Sequence, residues 1–241
     1  MKHKIPLNHS NLLKKDGYFS IKSFINKKEI DLAYSGIHKF IKEKNKNVKL
    51  VYNYGNSEIR IWNSQILIPE LSDIYKKLKF LNNEIFNDSN DFCMLTIINN
   101  PCSKNFHKKR WHADSFNYQN KFFLHLTNVE EKDGPFEFIP RTHKLRNKLM
   151  RGLRHMNLLS PYFKIKKMRI KSNYSEIDDN YIDSIDGKIK FVCKKGDLLV
   201  ADVRMLHRDS PCNSGYRVAI HCYLGASPSN FPNSEYSTNN E

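Results

Sequence analysis

Arg217-Val218-Ala219-Ile220-His221-Cys222-Tyr223-Leu224 is two patterns interleaved. Successive side chains of an extended chain point to opposite faces, so Arg217, Ala219, His221 and Tyr223 share one side, and Val218, Ile220, Cys222 and Leu224 the other. The aliphatic side suits packing against helices. The polar side, with a small alanine next to the arginine, suits the inside of a barrel that holds a ligand.

Upstream, the chain repeats this grammar in short β-rich runs at 93–98, 122–129, 136–139, 190–193 and 198–203. Asp133-Gly134-Pro135 and Lys195-Gly196-Asp197 read as turns between them, and short strands broken by turn residues are the mark of a sandwich or barrel. Along the second run, Lys121, Phe123, His125 and Thr127 face one way, and Phe122, Leu124 and Leu126 the other. Before residue 92 the pattern is different. A short strand at 17–21 is followed by a helix over 27–42, capped near Asn26, with Ile30, Ala33, Tyr34, Ile37, Phe40 and Ile41 on one stripe. A second amphipathic helix is predicted over 71–86, with Leu71, Ile74, Tyr75, Leu78, Leu81 and Ile85 turned inward as core.

A length of 241 residues with 39% hydrophobic content allows one catalytic domain, not two. Residues 1–225 are expected to form it, with 1–91 helix-rich, 92–225 a β-barrel carrying a basic insertion at 144–188, and a Ser-, Asn- and Pro-rich tail at 226–241. The five cysteines are scattered without a Cys-x-x-Cys pair, which argues against a disulfide framework or a thiolate zinc site. No apolar run follows the basic start, and none downstream is long enough for a bilayer, so a cytoplasmic protein is expected. The formal charge of +15 points to an anionic partner without naming one.

Trp111-His112-Ala113-Asp114 puts an imidazole and a carboxylate two residues apart, hence on one face of an extended segment. His207 supplies a second imidazole, expected at the end of the 198–203 strand. Two histidines and a carboxylate on one face of a metal leave its other positions open for substrates, as in non-haem iron(II) oxygenases. Arg217 follows ten residues after His207, and its guanidinium can grip the far carboxylate of a dicarboxylic co-substrate through two parallel hydrogen bonds. Lys121, Thr127 and Ser210 are further candidates for contact with that co-substrate, as are Asn99 and Asn100; His125 is a weaker one, and Trp111 reads as a core aromatic.

Taken in order, these blocks resemble the phytanoyl-CoA dioxygenase family. Asp16-Gly17-Tyr18-Phe19 is similar to its N-terminal strand, and the run from Trp111 through 121–129, Gly134-Pro135-Phe136-Glu137-Phe138-Ile139-Pro140 and His143-Lys144 to its central block. Lys195-Gly196-Asp197-Leu198-Leu199 through His207, Ser210-Pro211 and Arg217 resembles the segment with its distal histidine and co-substrate arginine. The resemblance implies a double-stranded β-helix, a jelly-roll barrel of cupin type, mostly β with flanking helices. It also implies iron(II) at His112, Asp114 and His207, 2-oxoglutarate as co-substrate held by Arg217, and O2 as oxidant, with succinate and CO2 released. Arg141-Thr142-His143 departs from the family's Gly-Ser-His, which puts that loop's conformation in question. Retention of Asp114 favours hydroxylation over halogenation.

A small, anionic metabolite is the expected substrate. The 144–171 segment, which carries ten lysines and arginines and no acidic residue, reads as a charged lid over the barrel mouth. A nucleic-acid-modifying oxygenase would also suit the charge, but the final strand has no second arginine after Arg217. A non-catalytic, cupin-like metal-binding module would have no use for Arg217 at this spacing.

Overall fold

The computed structural model describes residues 9–43, 48–53, 56–99, 111–114, 120–144, 182, 185–210 and 215–225. Most of the basic insertion, including residues 145–171, lies outside them, as does the 226–241 tail. The element order is α1 (His9–Asp16), β1 (Tyr18–Ile21), α2 (Lys27–Lys42), β2 (Val48–Asn53), β3 (Asn56–Trp62), α3 (Ser64–Leu67), a 3-10 turn (Pro69–Leu71) and α4 (Ser72–Phe86). The strands β4 (Cys93–Asn99), β5 (Asn120–His125), β6 (Phe136–Ile139), β7 (Ile189–Lys190), β8 (Leu198–Asp202), β9 (Leu206–Asp209) and β10 (Arg217–Tyr223) follow. No helix among the described residues is long and apolar enough to cross a membrane.

Two antiparallel sheets form a jelly roll flanked by helices. The large one runs β1-β8-β5-β10-β4-β3-β2 and the small one β7-β6-β9. Val218, Ile220, Cys222 and Leu224 pack with Phe122, Leu124 and Leu126 against Ile30, Ala33, Ile37, Ile74, Leu78 and Leu81 of α2 and α4, as the alternation requires. Each fully buried aliphatic side chain in such a layer contributes roughly 1.5–3 kcal/mol. The opposite face of the large sheet meets the small one, with the Phe123 and Phe136 rings 4.6 Å apart. Helix α2 starts where expected, because the Asn26 side chain accepts from the Glu29 amide while Glu29 accepts from the Asn26 amide, a reciprocal cap.

Several elements differ from the sequence expectation. The predicted 122–129 strand begins at Asn120 and ends at His125; beyond it the Leu126 amide still donates to the Val218 carbonyl, while the Val218 amide donates to the Thr127 hydroxyl. The 190–193 run is cut to Ile189–Lys190, and Cys193 pairs singly with Val129. The hairpin β2–β3, which widens the large sheet, and the short helices α1 and α3 were not expected. His207 does not end the β8 strand. A turn at residues 202–205, tied by Arg204 Nε to Asp202 Oδ1 at 2.8 Å, carries the chain to the small sheet, and His207 lies there on β9 opposite Phe138.

The Lys195-Gly196-Asp197 turn locks the first strand to the barrel. Asp197, 2% exposed, accepts from the Lys22 ammonium and the Ser23 and Lys194 amides. Gly196 has φ of +89°, and a Cβ there would lie 2.6 Å from the Ile25 carbonyl oxygen. Gly196→Ala is therefore expected to cost about 1–3 kcal/mol, since it combines a strained φ with a backbone clash. A thermal melt within 1 °C of the wild type would contradict this.

Candidate metal centre

Backbone pairing builds the site. His112 and His207 exchange amide hydrogen bonds of 3.0 and 2.9 Å, and the Asp114 amide donates to the Val203 carbonyl at 3.0 Å. The segment is thereby held beside β9, and the side chains of His112 and Asp114 emerge together. His112 Nε2 and His207 Nε2 each lie 3.4 Å from Asp114 Oδ1. The three donor atoms all lie within 4.8 Å of one another, and no other three such donors come as close among the described residues.

His207 is 5% exposed, and its Nδ1 lies 2.9 Å from the Met205 carbonyl. An Nδ1–H donated there leaves the Nε2 lone pair facing Asp114, the tautomer a metal ligand needs. Burial holds the His207 imidazole below its ordinary pKa, hence neutral. Burial would raise that of Asp114, but the Lys121 ammonium and the neighbouring histidines outweigh it and keep the carboxyl well below its usual range. Two imidazoles and one carboxylate suit a divalent transition metal with open positions. Lys121 forms an ion pair with Asp114 Oδ2 and lies 4.1 Å from the centre of the Tyr223 ring.

Arg217 opens β10, 3% exposed, with Asn99 as its β4 partner. Its Nη1 donates to the Gly134 carbonyl, and its Nη2 is 3.4 Å from Asp209 Oδ1. Sequence reasoning missed Asp209, although the two-residue period from His207 points it the same way. Ser210 instead donates to Glu137 at 3.2 Å, and Glu137 also accepts from Arg208 Nε at 2.7 Å. The Arg208 guanidinium lies 4.7 Å from the centre of the buried Trp111 ring, which packs with Ile139, Ile182 and Leu206 as a core aromatic. The Thr127 hydroxyl accepts from the Val218 amide. Asn99 is buried, its amide oxygen without a partner among the described residues, and Asn100 lies outside them.

His125 is 1% exposed, and neither ring nitrogen has a hydrogen-bond partner among the described residues. Burial, aided by the charge of Arg217, pushes its pKa down to about 3. The loop in question at Arg141 keeps a glycine-like backbone, with φ of +68°. Asp16 holds it there, accepting from Arg141 Nε at 2.8 Å and from its amide at 2.9 Å. Next along, the Thr142 hydroxyl donates to the Ile139 carbonyl and accepts from the Leu206 amide, bracing the strand that carries His207.

The model of the phytanoyl-CoA dioxygenase family matches residues 13–217. Among solved structures, the epimerase SnoN in complex with Fe3+, alpha ketoglutarate and nogalamycin RO is similar at a TM-score of 0.65 and 10% identity, over 90% of this chain and 81% of that one. HygX from Streptomyces hygroscopicus with nickel and 2-oxoglutarate bound is similar at a TM-score of 0.64 and 11% identity, over 91% and 86%. The alpha ketoglutarate dependent carbocyclase SnoK has a TM-score of 0.63 and 11% identity, over 91% and 83%. No curated protein sequence matches the chain.

Proposed function

The chain belongs to the phytanoyl-CoA dioxygenase family, and from that premise we propose that it is an iron(II)- and 2-oxoglutarate-dependent oxygenase that hydroxylates a small, anionic metabolite. One observation carries the reading: two imidazole Nε2 atoms and a carboxylate oxygen converge within 4.8 Å in the same barrel that buries Arg217. SnoN and HygX, which share the fold, were solved with a metal and the keto acid bound. His112, Asp114 and His207 would hold the iron, and Arg217 the distal carboxylate of the co-substrate. When bound, iron with 2-oxoglutarate and O2 supplies the oxidising power, with succinate and CO2 as by-products.

The protein's own part is geometry. The ring of Phe136 lies 5.1 Å from that of His207 and 4.6 Å from that of Phe123, which in turn is 4.7 Å from His221. These rings cover His207, while the side chains of His112 and Asp114 stay 20% and 14% exposed, so the donors remain open to an incoming ligand. Lys121 restrains Asp114 through the carboxylate oxygen that does not face the histidines.

Hydroxylation is favoured by the retained Asp114, although SnoN and SnoK are an epimerase and a carbocyclase on the same fold. An anionic substrate is supported by the net charge of +15. Iron-loaded protein is expected to convert 2-oxoglutarate to succinate, and an acidic metabolite should stimulate this with a KM about tenfold below that of its neutral ester. Absence of iron-dependent succinate from folded, loaded protein would overturn the enzymatic reading. Equal stimulation by the ester would overturn the preference for an anion.

A further inference from the structure

We propose that His125 is a second donor to the distal carboxylate of the co-substrate, and so helps the site select a dicarboxylic 2-oxo acid over a monocarboxylic one. The proposal rests on the reading above that Arg217 grips that carboxylate. His125 sits on β5 opposite Ala219 of β10, and Arg217 lies two residues further along the same face. Ala219, the cross-strand partner of His125, carries only a methyl on that face. A neutral imidazole carries one N–H donor and one acceptor, and a buried polar group without a partner is rare in a folded protein. Here both nitrogens are buried and unmatched among the described residues.

The fold does not call for an imidazole at this place. The His125 amide donates to the Asp197 carbonyl and its own carbonyl accepts from Gly196, so the sheet is satisfied through the backbone. The neighbouring Phe191 ring, centred 5.7 Å away, would pack equally well against an apolar side chain. Across Arg217 on β4, the amide oxygen of buried Asn99 is unmatched as well. Of these groups only the His125 N–H can donate to a carboxylate, and a purely structural ion pair of Arg217 with Asp209 would not need it. A carboxylate gripped by both arms of Arg217 keeps a spare lone pair on each oxygen, and one of these would accept from the His125 N–H. Because burial keeps the ring neutral, His125 adds a directed hydrogen bond there without adding a charge.

The test measures binding in anaerobic, iron(II)-loaded protein by the charge-transfer absorption that a chelating 2-oxo acid produces. 2-Oxoglutarate is compared with 2-oxobutanoate, which lacks the distal carboxylate, in wild type, His125→Phe, His125→Gln and Arg217→Lys. His125→Phe is expected to weaken 2-oxoglutarate about tenfold and leave 2-oxobutanoate unchanged, while His125→Gln, which keeps an N–H, recovers most of the loss. If Arg217→Lys weakens 2-oxoglutarate but neither His125 variant does, His125 is packing alone and the proposal fails. Equal weakening of both acids by His125→Phe, without rescue by glutamine, also overturns it. If Arg217→Lys itself changes nothing, the reading of Arg217 fails first.

Discussion

His207→Ala is expected to lower the affinity for a divalent metal by at least about 100-fold and to abolish 2-oxoglutarate turnover. Removing a partner that merely orients a metal-binding histidine typically costs roughly 10–100-fold, and this substitution removes the donor itself. Among the described residues its position leaves no substitute close by. His207 is almost fully buried, its Nδ1 faces the Met205 carbonyl, and its Nε2 shares Asp114 Oδ1 with His112. His112→Ala and Asp114→Ala should behave alike, with one difference: losing Asp114 also strips Lys121 of its carboxylate and leaves a buried ammonium beside the metal. Iron content after dialysis, together with an anaerobic iron titration, reads the effect. Full iron occupancy in the His207→Ala protein would remove the basis for the triad.

How much of this was legible in the sequence follows from the range of the interactions involved. The two-residue period of Arg217 to Leu224 is local, and the structure keeps it: the aliphatic side meets α2 and α4, and the other side carries Arg217. The His-x-Asp spacing is local too, and it places both side chains together because residues 111–114 run extended beside β9. What was missed depended on contacts distant in sequence. Strand β9 is only four residues long, includes Arg208 and Asp209, and exists because β6 pairs with it. Asp209 acquires a role only when β10 brings Arg217 alongside. Arg141, which put the loop in question, keeps a left-handed backbone because Asp16, 125 residues earlier, holds its side chain and amide. Ser210, read from its nearness to His207 as a co-substrate contact, donates to Glu137 across the small sheet, a partner that its place in the sequence does not reveal.

Arg217→Lys is expected to weaken 2-oxoglutarate binding by about 1.5–3 kcal/mol, the scale of a hydrogen bond to a charged group, or roughly 10- to 150-fold in Kd. Charge is preserved in this variant, so the loss isolates geometry: an ammonium cannot present the planar fork that meets both carboxylate oxygens. The surroundings sharpen the expectation. One arm of the guanidinium already supports the Gly134 carbonyl and the other faces Asp209 at 3.4 Å, so the arginine must serve a second carboxylate while keeping the first. Five N–H groups allow this and three do not. The lysine should therefore be held by Asp209 and be less available to the keto acid. It follows that Arg217→Lys with Asp209→Asn should bind 2-oxoglutarate more tightly than Arg217→Lys alone. Calorimetric titration of the metal-loaded proteins decides it. An unchanged Kd in Arg217→Lys would move the anchor to another cation, Lys121 foremost, whereas a weakened Kd that Asp209→Asn does not relieve would show that Asp209 does not compete for this group.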